Sequence, residues 1–167
     1  VLSLLWWHLL RVNGVAGVAT TFNDGHRERR WANVAIGVLV VQIFLGGWTS
    51  SNYAALACTD FPTCHGSWWP QMDFTEGFTL WRGLQMNYEF GVLDTPARTA
   101  VHYSHRIWAL VTVLALIIVA FRGLAQQLSA CRQVAWCIIS LTTIQAGLGI
   151  TNVLQGLPLA VAVSHNG

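Results

Sequence analysis

Apolar residues in this chain fall into long runs, separated by polar connections of very different length. A run of about 20 apolar residues is long enough to cross a bilayer as a helix. We predict spans at about 32–51, 98–121 and 133–153, and the start of a fourth at 159–167. No carboxylate lies within any of them. The pattern therefore predicts an all-α fold, a polytopic bundle of transmembrane helices.

Composition supports a chain that lives in lipid. Hydrophobic residues make up 54% of the chain and charged residues only 10%, against about 25% charged in a typical soluble domain. The mean hydropathy is +0.48, and the 9 tryptophans suit membrane–water interfaces. The net charge of +2 is too small to indicate a nucleic-acid partner. Membrane lipid is the predicted surrounding.

The charges of the connections predict which side of the membrane each one faces. The connections at 11–31 and 123–132 are arginine-rich or bracketed by arginines, whereas 52–97 holds five carboxylates and a single arginine. Short basic connections stay in the cytoplasm. We therefore predict a multi-pass protein of the bacterial inner membrane, with loop 52–97 facing the periplasm; the mitochondrial inner membrane is the alternative.

Two histidines occupy matching positions in two of the spans. His105 lies seven residues past Arg98, and His165 lies seven past Pro158. At about 1.5 Å per residue, both lie roughly 10 Å into helices that enter from the same side. Two imidazoles at one depth suit the two axial positions of a heme iron. A membrane histidine can instead bond a neighbouring backbone, and spacing alone does not separate heme from zinc or copper.

Two neighbours of His105 are further candidates for cofactor binding. His102 lies three residues earlier, on the same helix face, and only one of the two histidines need bind iron. Arg106 follows about 100° around the helix. It suits a heme propionate, or it extends its charge to the outer interface.

Small residues and cysteines leave two further questions open. The pairs Gly46–Gly47 and Gly147–Gly149 permit either close helix packing or close approach of a flat cofactor. Cys58 and Cys64 lie on the oxidising side, where a disulfide is expected; it is either a structural staple or a redox-active pair. The remaining cysteines, Cys131 and Cys137, are interpreted as ordinary small residues.

Three stretches resemble the heme A synthase family of proteobacterial type. They are LGGWTSSNYAALACTDFPTCHGSWWPQMDF at 45–74, ARTAVHYSHR at 97–106 and GLGITNVLQGLPLAVAVSHN at 147–166. The resemblance covers about 31–167. It implies that 32–167 is the C-terminal, heme-binding half of an eight-helix protein, truncated at the start of its last helix. It also implies that 1–31 is the end of a preceding helix plus a cytoplasmic linker.

The resemblance implies a function and a set of partners. Heme A synthases oxidise the C8 methyl of heme O to the formyl of heme A, and their second half holds a heme b that relays electrons. His105 and His165 match the axial ligands, and Cys58 and Cys64 match the family's cysteine pair. The implied partners are heme O, bound mainly by the other half, heme O synthase and an electron donor, with a homo-oligomer left open.

The resemblance also implies that this half lacks the catalytic group. The family's proposed catalytic glutamate lies in the other half, three residues before that half's histidine, and the matching position here is His102. We therefore predict no catalytic residue in this chain and no activity of the fragment alone. Two alternatives are kept: a b-type cytochrome electron carrier, and a heme-handling cytochrome oxidase assembly protein.

Overall fold

The computed structural model describes residues 22–81 and 91–166. Their helices are α1 (Phe22–Ser51), α2 (Phe74–Gly77), α3 (Thr95–Leu124), α4 (Ser129–Leu154) and α5 (Leu159–Asn166). These residues form no β-strand beyond one isolated bridge between Cys64 and Ser67. The prediction of an all-α fold is confirmed. The predicted end of a preceding helix, part of the linker before 22 and the loop segment 82–90 lie outside the described residues.

Helices α1, α3 and α4 are long and apolar enough to cross a membrane. Large apolar side chains along them are exposed, among them Phe44 at 56%, Phe121 at 64% and Ile144 at 58%. Such surface is unfavourable in water and favourable against lipid tails. Helices therefore form at all three predicted spans and could cross a membrane, and each extends beyond its predicted span because a helix can continue past the hydrocarbon layer.

The described residues form two compact units, and the first comprises 22–41 and 110–145. Its core packs small and branched side chains from three helices, with Ala35 of α1, Ala120 of α3 and Ile138 of α4 at its centre. At one end, Arg122 donates from Nε to the Glu28 carboxylate at 3.0 Å. Apolar packing and this ion pair hold the first unit together.

The second unit comprises 42–81, 91–109 and 146–166. Its small core gathers Ala54, Leu93, Ala97 and Val101. The chain approaches α3 closely at Gly77, where a Cβ would lie 2.9 Å from the Ala97 carbonyl oxygen. A glycine is therefore required at this point of the outer loop, and it brings the loop against the helix that carries the candidate histidines.

Helix α2 is short and ends at Gly77. The sequence also predicts a short helix at about 75–84; residues 78–81 are not helical, and 82–84 lie outside the described residues. Asp73 caps its start by accepting from the Glu76 N–H at 2.9 Å. At its end, the Trp48 indole donates to the Gly77 carbonyl at 3.0 Å. That carbonyl would accept from residue 81 in a longer helix, so a tertiary contact replaces the next helical bond.

Candidate cofactor site

His105 lies against α1, beside the polar side chain of Gln42 and beside Gly46, which has no side chain. Gln42 Nε2 is 3.2 Å from Nδ1 of the ring. A Cβ added at Gly46 would lie 3.3 Å from the ring's Cε1. Gln42 and Gly46 are four residues apart and therefore share one face of α1. The half-buried imidazole thus packs against a side-chain amide and a glycine of α1. We call a helix glycine that leaves room for a histidine ring a glycine seat.

His165 of α5 has a similar seat on α4. A Cβ added at Gly149 would lie 3.1 Å from Cε1 of its ring. The His105 and His165 rings both belong to the second unit. The structure therefore brings the two predicted iron ligands together. Their assignment as axial ligands stays a prediction.

The glycines of the pairs Gly46–Gly47 and Gly147–Gly149 divide into two kinds. A Cβ at Gly46 or Gly149 would press on a histidine ring, whereas one at Gly47 or Gly147 would meet no atom of residues 22–81 or 91–166 within 4 Å. The first kind gives room to imidazoles, rather than to a neighbouring helix backbone. Sequence reasoning noted all four glycines and did not distinguish the two that matter.

These residues fit a heme better than a zinc ion. Residues 22–81 and 91–166 assemble no group of three or more His, Cys, Asp or Glu side chains able to hold a metal. Zinc sites take three or four protein ligands, whereas heme iron needs only one or two because the porphyrin supplies the rest. Two imidazoles, each packed on a helix glycine, match that need. The Gln42 amide lies beside the His105 ring, and its buried Oε1 accepts no hydrogen bond from the described residues.

His102 and Arg106 face the outer loop. Arg106 donates to the carbonyls of Cys58 and Thr63, both at 2.9 Å. Arg106 Nε lies 3.2 Å from His102 Nε2, and the Cys58 N–H lies 3.2 Å from His102 Nδ1. A neutral imidazole accepts at one nitrogen only, so the tautomer decides which of these donors His102 binds. The two side chains form a latch between α3 and the loop, which we call the α3 latch.

His102 and His105 contact different parts of the protein, although the sequence predicts that they share one helix face. Residues three apart are about 60° apart around a helix, and residues four apart about 40°. His102 therefore pairs with Arg106 towards the loop, whereas His105 is directed to α1. The cofactor-binding roles expected for His102 and Arg106 stay predictions, since the contacts seen here are with the loop.

Cys58 and Cys64 lie together as a bonded pair, with Cα atoms 4.8 Å apart. Both residues have 0% of their surface exposed. The segment between them is the part of the loop that Arg106 holds. By contrast, Cys131 and Cys137 form no disulfide.

Asp60 organises the inside of the 58–64 segment. Its carboxylate accepts from the Thr63 hydroxyl, from the His65 N–H at 2.6 Å and from the Gly66 N–H at 3.0 Å. The Thr63 hydroxyl, with the backbone donors, lowers the pKa of Asp60 to about 2 because these bonds stabilise the charged form. Asp60 is therefore a charged structural centre of the loop.

Sequence reasoning missed three contributors to this region. Gln42 was visible only as one amide in an uncharged apolar run, Asp60 only as part of a turn, and Tyr103 not at all. The Tyr103 hydroxyl donates to the Trp68 carbonyl at 2.6 Å and thereby holds a second part of the loop on α3. The contacts of Gln42 and Tyr103 join residues that are distant along the chain, whereas the contacts of Asp60 are local.

An all-helical protein with three helices long and apolar enough to cross a membrane is the class that this fold defines. The family model described as "Cytochrome oxidase assembly protein" matches residues 1–167, and the chain belongs to that family. The heme A synthase of Shewanella oneidensis is 46% identical over 137 residues, covering 81% of this chain and 41% of that protein.

More distant relatives carry the same name. The heme A synthase of Erythrobacter litoralis is 30% identical over 128 residues, covering 77% of this chain and 33% of that protein. The heme A synthase of Caulobacter vibrioides is 25% identical over 164 residues, covering 97% and 43%. The chain thus spans less than half the length of these relatives. No solved structure matches it.

Proposed function

We propose that this chain is the heme b-binding half of a heme A synthase, the enzyme that oxidises the C8 methyl of heme O to the formyl of heme A. His105 and His165 would hold the heme iron through their imidazoles. When bound, the heme supplies one-electron chemistry. The observation that carries the proposal is the pair of histidine rings in one compact unit, each packed on a glycine of a neighbouring helix.

The chain's own residues have limited roles in this function. The two neutral imidazoles each offer one ring nitrogen as a ligand, and Gly46 and Gly149 leave the space in which the rings lie. No carboxylate lies in the predicted spans. The chain therefore relays electrons and leaves oxidation of the methyl group to the other half, so that alone it makes no heme A.

The Cys58–Cys64 pair serves this site as a staple. Thiol–disulfide exchange requires that a thiolate reach a sulfur atom, and both cysteines are fully buried. Arg106 bonds the carbonyls of Cys58 and Thr63, at either end of the segment. Burial and these bonds support a structural disulfide over a redox-active one.

The heme proposal is tested with a reduced-minus-oxidised optical spectrum of the purified chain. We expect a low-spin b-type spectrum in the parent, and its loss in both His105→Ala and His165→Ala. The matched control is His26→Ala, because His26 is an exposed histidine of α1 in the first unit; its spectrum should equal that of the parent. An unchanged spectrum in either ligand variant contradicts the proposal.

A further inference from the structure

We infer that Gln42 is a positioning residue for His105: its side-chain amide fixes the ring through Nδ1 and tunes the iron that the ring binds. This inference rests on the proposed heme site. It assigns a role to a residue of α1 that has no part in the ligand set, and it explains why a polar side chain lies within an apolar span.

The first argument is the geometry of the amide. Gln42 Nε2 lies 3.2 Å from His105 Nδ1 and 3.5 Å from Nε2, so the shorter contact joins the amide to Nδ1. The chain separation of the two residues is 63, and the contact therefore depends on α1 and α3 packing side by side in the second unit. Gly46, one turn further along α1, brings that face of the helix close to the ring.

The second argument is the cost of an amide at this place. An amide in an apolar environment costs free energy unless its polar atoms are bonded. The Gln42 Oε1 is buried and accepts no hydrogen bond from residues 22–81 or 91–166. A leucine would suit the surrounding span better. The amide is therefore explained by its polar contact with His105.

The third argument is the proton of the ring. The amide nitrogen can only donate, so a hydrogen bond to Nδ1 requires a ring whose proton lies on Nε2. A ring that binds iron through Nε2 carries its proton on Nδ1, and a ligating histidine normally donates that proton to an acceptor. A half-turn of the Gln42 amide exchanges Nε2 for Oε1 at the same position and supplies the acceptor.

An amide can thus hydrogen-bond the His105 ring both before and after the ring binds iron. A carboxylate only accepts when it is charged, and a charged group in a span is expensive. An amide donates from its nitrogen and accepts at its oxygen without carrying charge. Gln42 therefore suits a ligand that must be held before and after the heme arrives.

The test is a redox titration of the heme spectrum in Gln42→Leu and Gln42→Glu, beside the parent. In Gln42→Leu we expect the low-spin bis-histidine signal to persist while the midpoint potential rises, because the ring N–H has lost its acceptor and the ligand is less electron-rich. Heme retention should fall by roughly 10-fold or more, as for other outer partners of metal ligands. In Gln42→Glu the potential should shift in the opposite direction.

The matched control is Thr143→Val, which also removes a polar group from a span. The Thr143 hydroxyl donates to the Ile139 carbonyl of its own helix, and the residue lies in the first unit. The potential of this variant should equal that of the parent.

The two proposals fail differently. A parent that binds heme through both histidines, with potentials unchanged in both Gln42 variants, overturns only the role of Gln42. A parent whose spectrum survives His105→Ala overturns the heme site itself, and the role of Gln42 with it. Persistence of the low-spin electron paramagnetic resonance signal in Gln42→Leu shows that the variant has folded, so that a shift in potential reports on the hydrogen bond.

Discussion

A glycine in the middle of a helix costs about 1 kcal/mol relative to alanine, so its presence there calls for a reason. At Gly46 and Gly149 the reason is a histidine ring, which a Cβ would approach to 3.3 Å and 3.1 Å. At Gly47 and Gly147 no atom of the described part of the chain lies within 4 Å of the added Cβ. The same two helices therefore each pair a glycine that packs on a histidine ring with one that has open space among the described residues.

We expect Gly46→Ala and Gly149→Ala to lower heme content, by about 10-fold, since each displaces a ligand ring. Gly47→Ala and Gly147→Ala are the controls. They should keep full heme content and gain up to about 1 kcal/mol of helix stability. The measurement is the heme-to-protein ratio of the purified variants. Equal heme content in all four variants would show that the glycine seats do not matter.

Asp60 predicts how the outer loop responds to acid. Its pKa is lowered from 3.8 to about 2, so the folded loop favours the charged carboxylate. The resulting stabilisation is fully present above pH 3.8 and is lost as the pH falls towards 2. We expect the Cys58–Cys64 pair to resist a phosphine reductant from about pH 7 to about pH 4, and to be reduced faster below that range.

The variant Asp60→Asn tests the same contact at neutral pH. One carboxylate oxygen becomes an NH2 group that faces donors, so reduction should be faster at neutral pH, where the parent carboxylate is charged. Asp73→Asn is the control, because Asp73 caps α2 outside the 58–64 segment. Rates are normalised to a small disulfide peptide. Reduction of Asp60→Asn at the parent's rate would refute the role of the carboxylate.

At the scale of residues, the sequence predicted side chains with distinctive chemistry and missed the ones that position them. His105, His165, Cys58 and Cys64 stand out by type, charge or spacing. Gln42 does not, because its significance lies in a contact with a residue 63 positions away. A glycine in a helix likewise signals close approach without identifying its neighbour.

Helix α3 makes different contacts on different faces. His102 and Arg106 form the α3 latch to the loop, and Tyr103 bonds the Trp68 carbonyl. His105 instead contacts α1. The outer loop and the histidine seat are therefore held by one turn of one helix, so a change in the latch should be felt by the loop first.

We expect Arg106→Lys to destabilise the second unit by about 1–3 kcal/mol. A lysine ammonium lacks the planar fork that reaches two carbonyls at once. The measurement is thermal unfolding in detergent, followed by tryptophan fluorescence, because Trp68 and Trp69 lie in the loop. Arg132→Lys, at an exposed position of α4, is the control. An unfolding temperature equal to that of the control would mean that the latch contributes nothing measurable.

At the scale of elements, apolar runs predicted the three long helices well because length and hydropathy decide membrane insertion. They underestimated the length of the helices, since α1 begins at Phe22 and not near 32. Helix α2 ends at Gly77, whose carbonyl accepts from the Trp48 indole. Local pattern gives the existence of an element, and tertiary contacts give its limits.

For the whole molecule, the comparisons establish the family and the helices fit a membrane protein, while the direction of insertion is a proposal. We propose the bacterial inner membrane, with loop 52–97 in the periplasm. Its support is the acidic charge of that loop against the arginine-rich connections, together with the bacterial relatives.

We expect Thr75→Cys, at an exposed position of the outer loop, to react with a membrane-impermeant maleimide in intact spheroplasts. Cys131 and Cys137 are replaced by serine so that only the introduced thiol reports, and the chain with these serines and Thr75 unchanged is the control. Without a reductant, Cys58 and Cys64 should stay unlabelled. Labelling of the Thr75→Cys variant only after the membrane is permeabilised would place the loop on the cytoplasmic side.

The α3 latch can form only after a later part of the chain has been synthesised. Its donor Arg106 is made 43 residues after Thr63 and 48 after Cys58. At about 5–20 residues per second, synthesis of that interval takes roughly 2–10 s. During those seconds the 58–64 segment exists without the arginine that later binds both of its ends. The disulfide between Cys58 and Cys64 can therefore form before the latch, and the arrival of Arg106 then fixes the backbone around a bond already made.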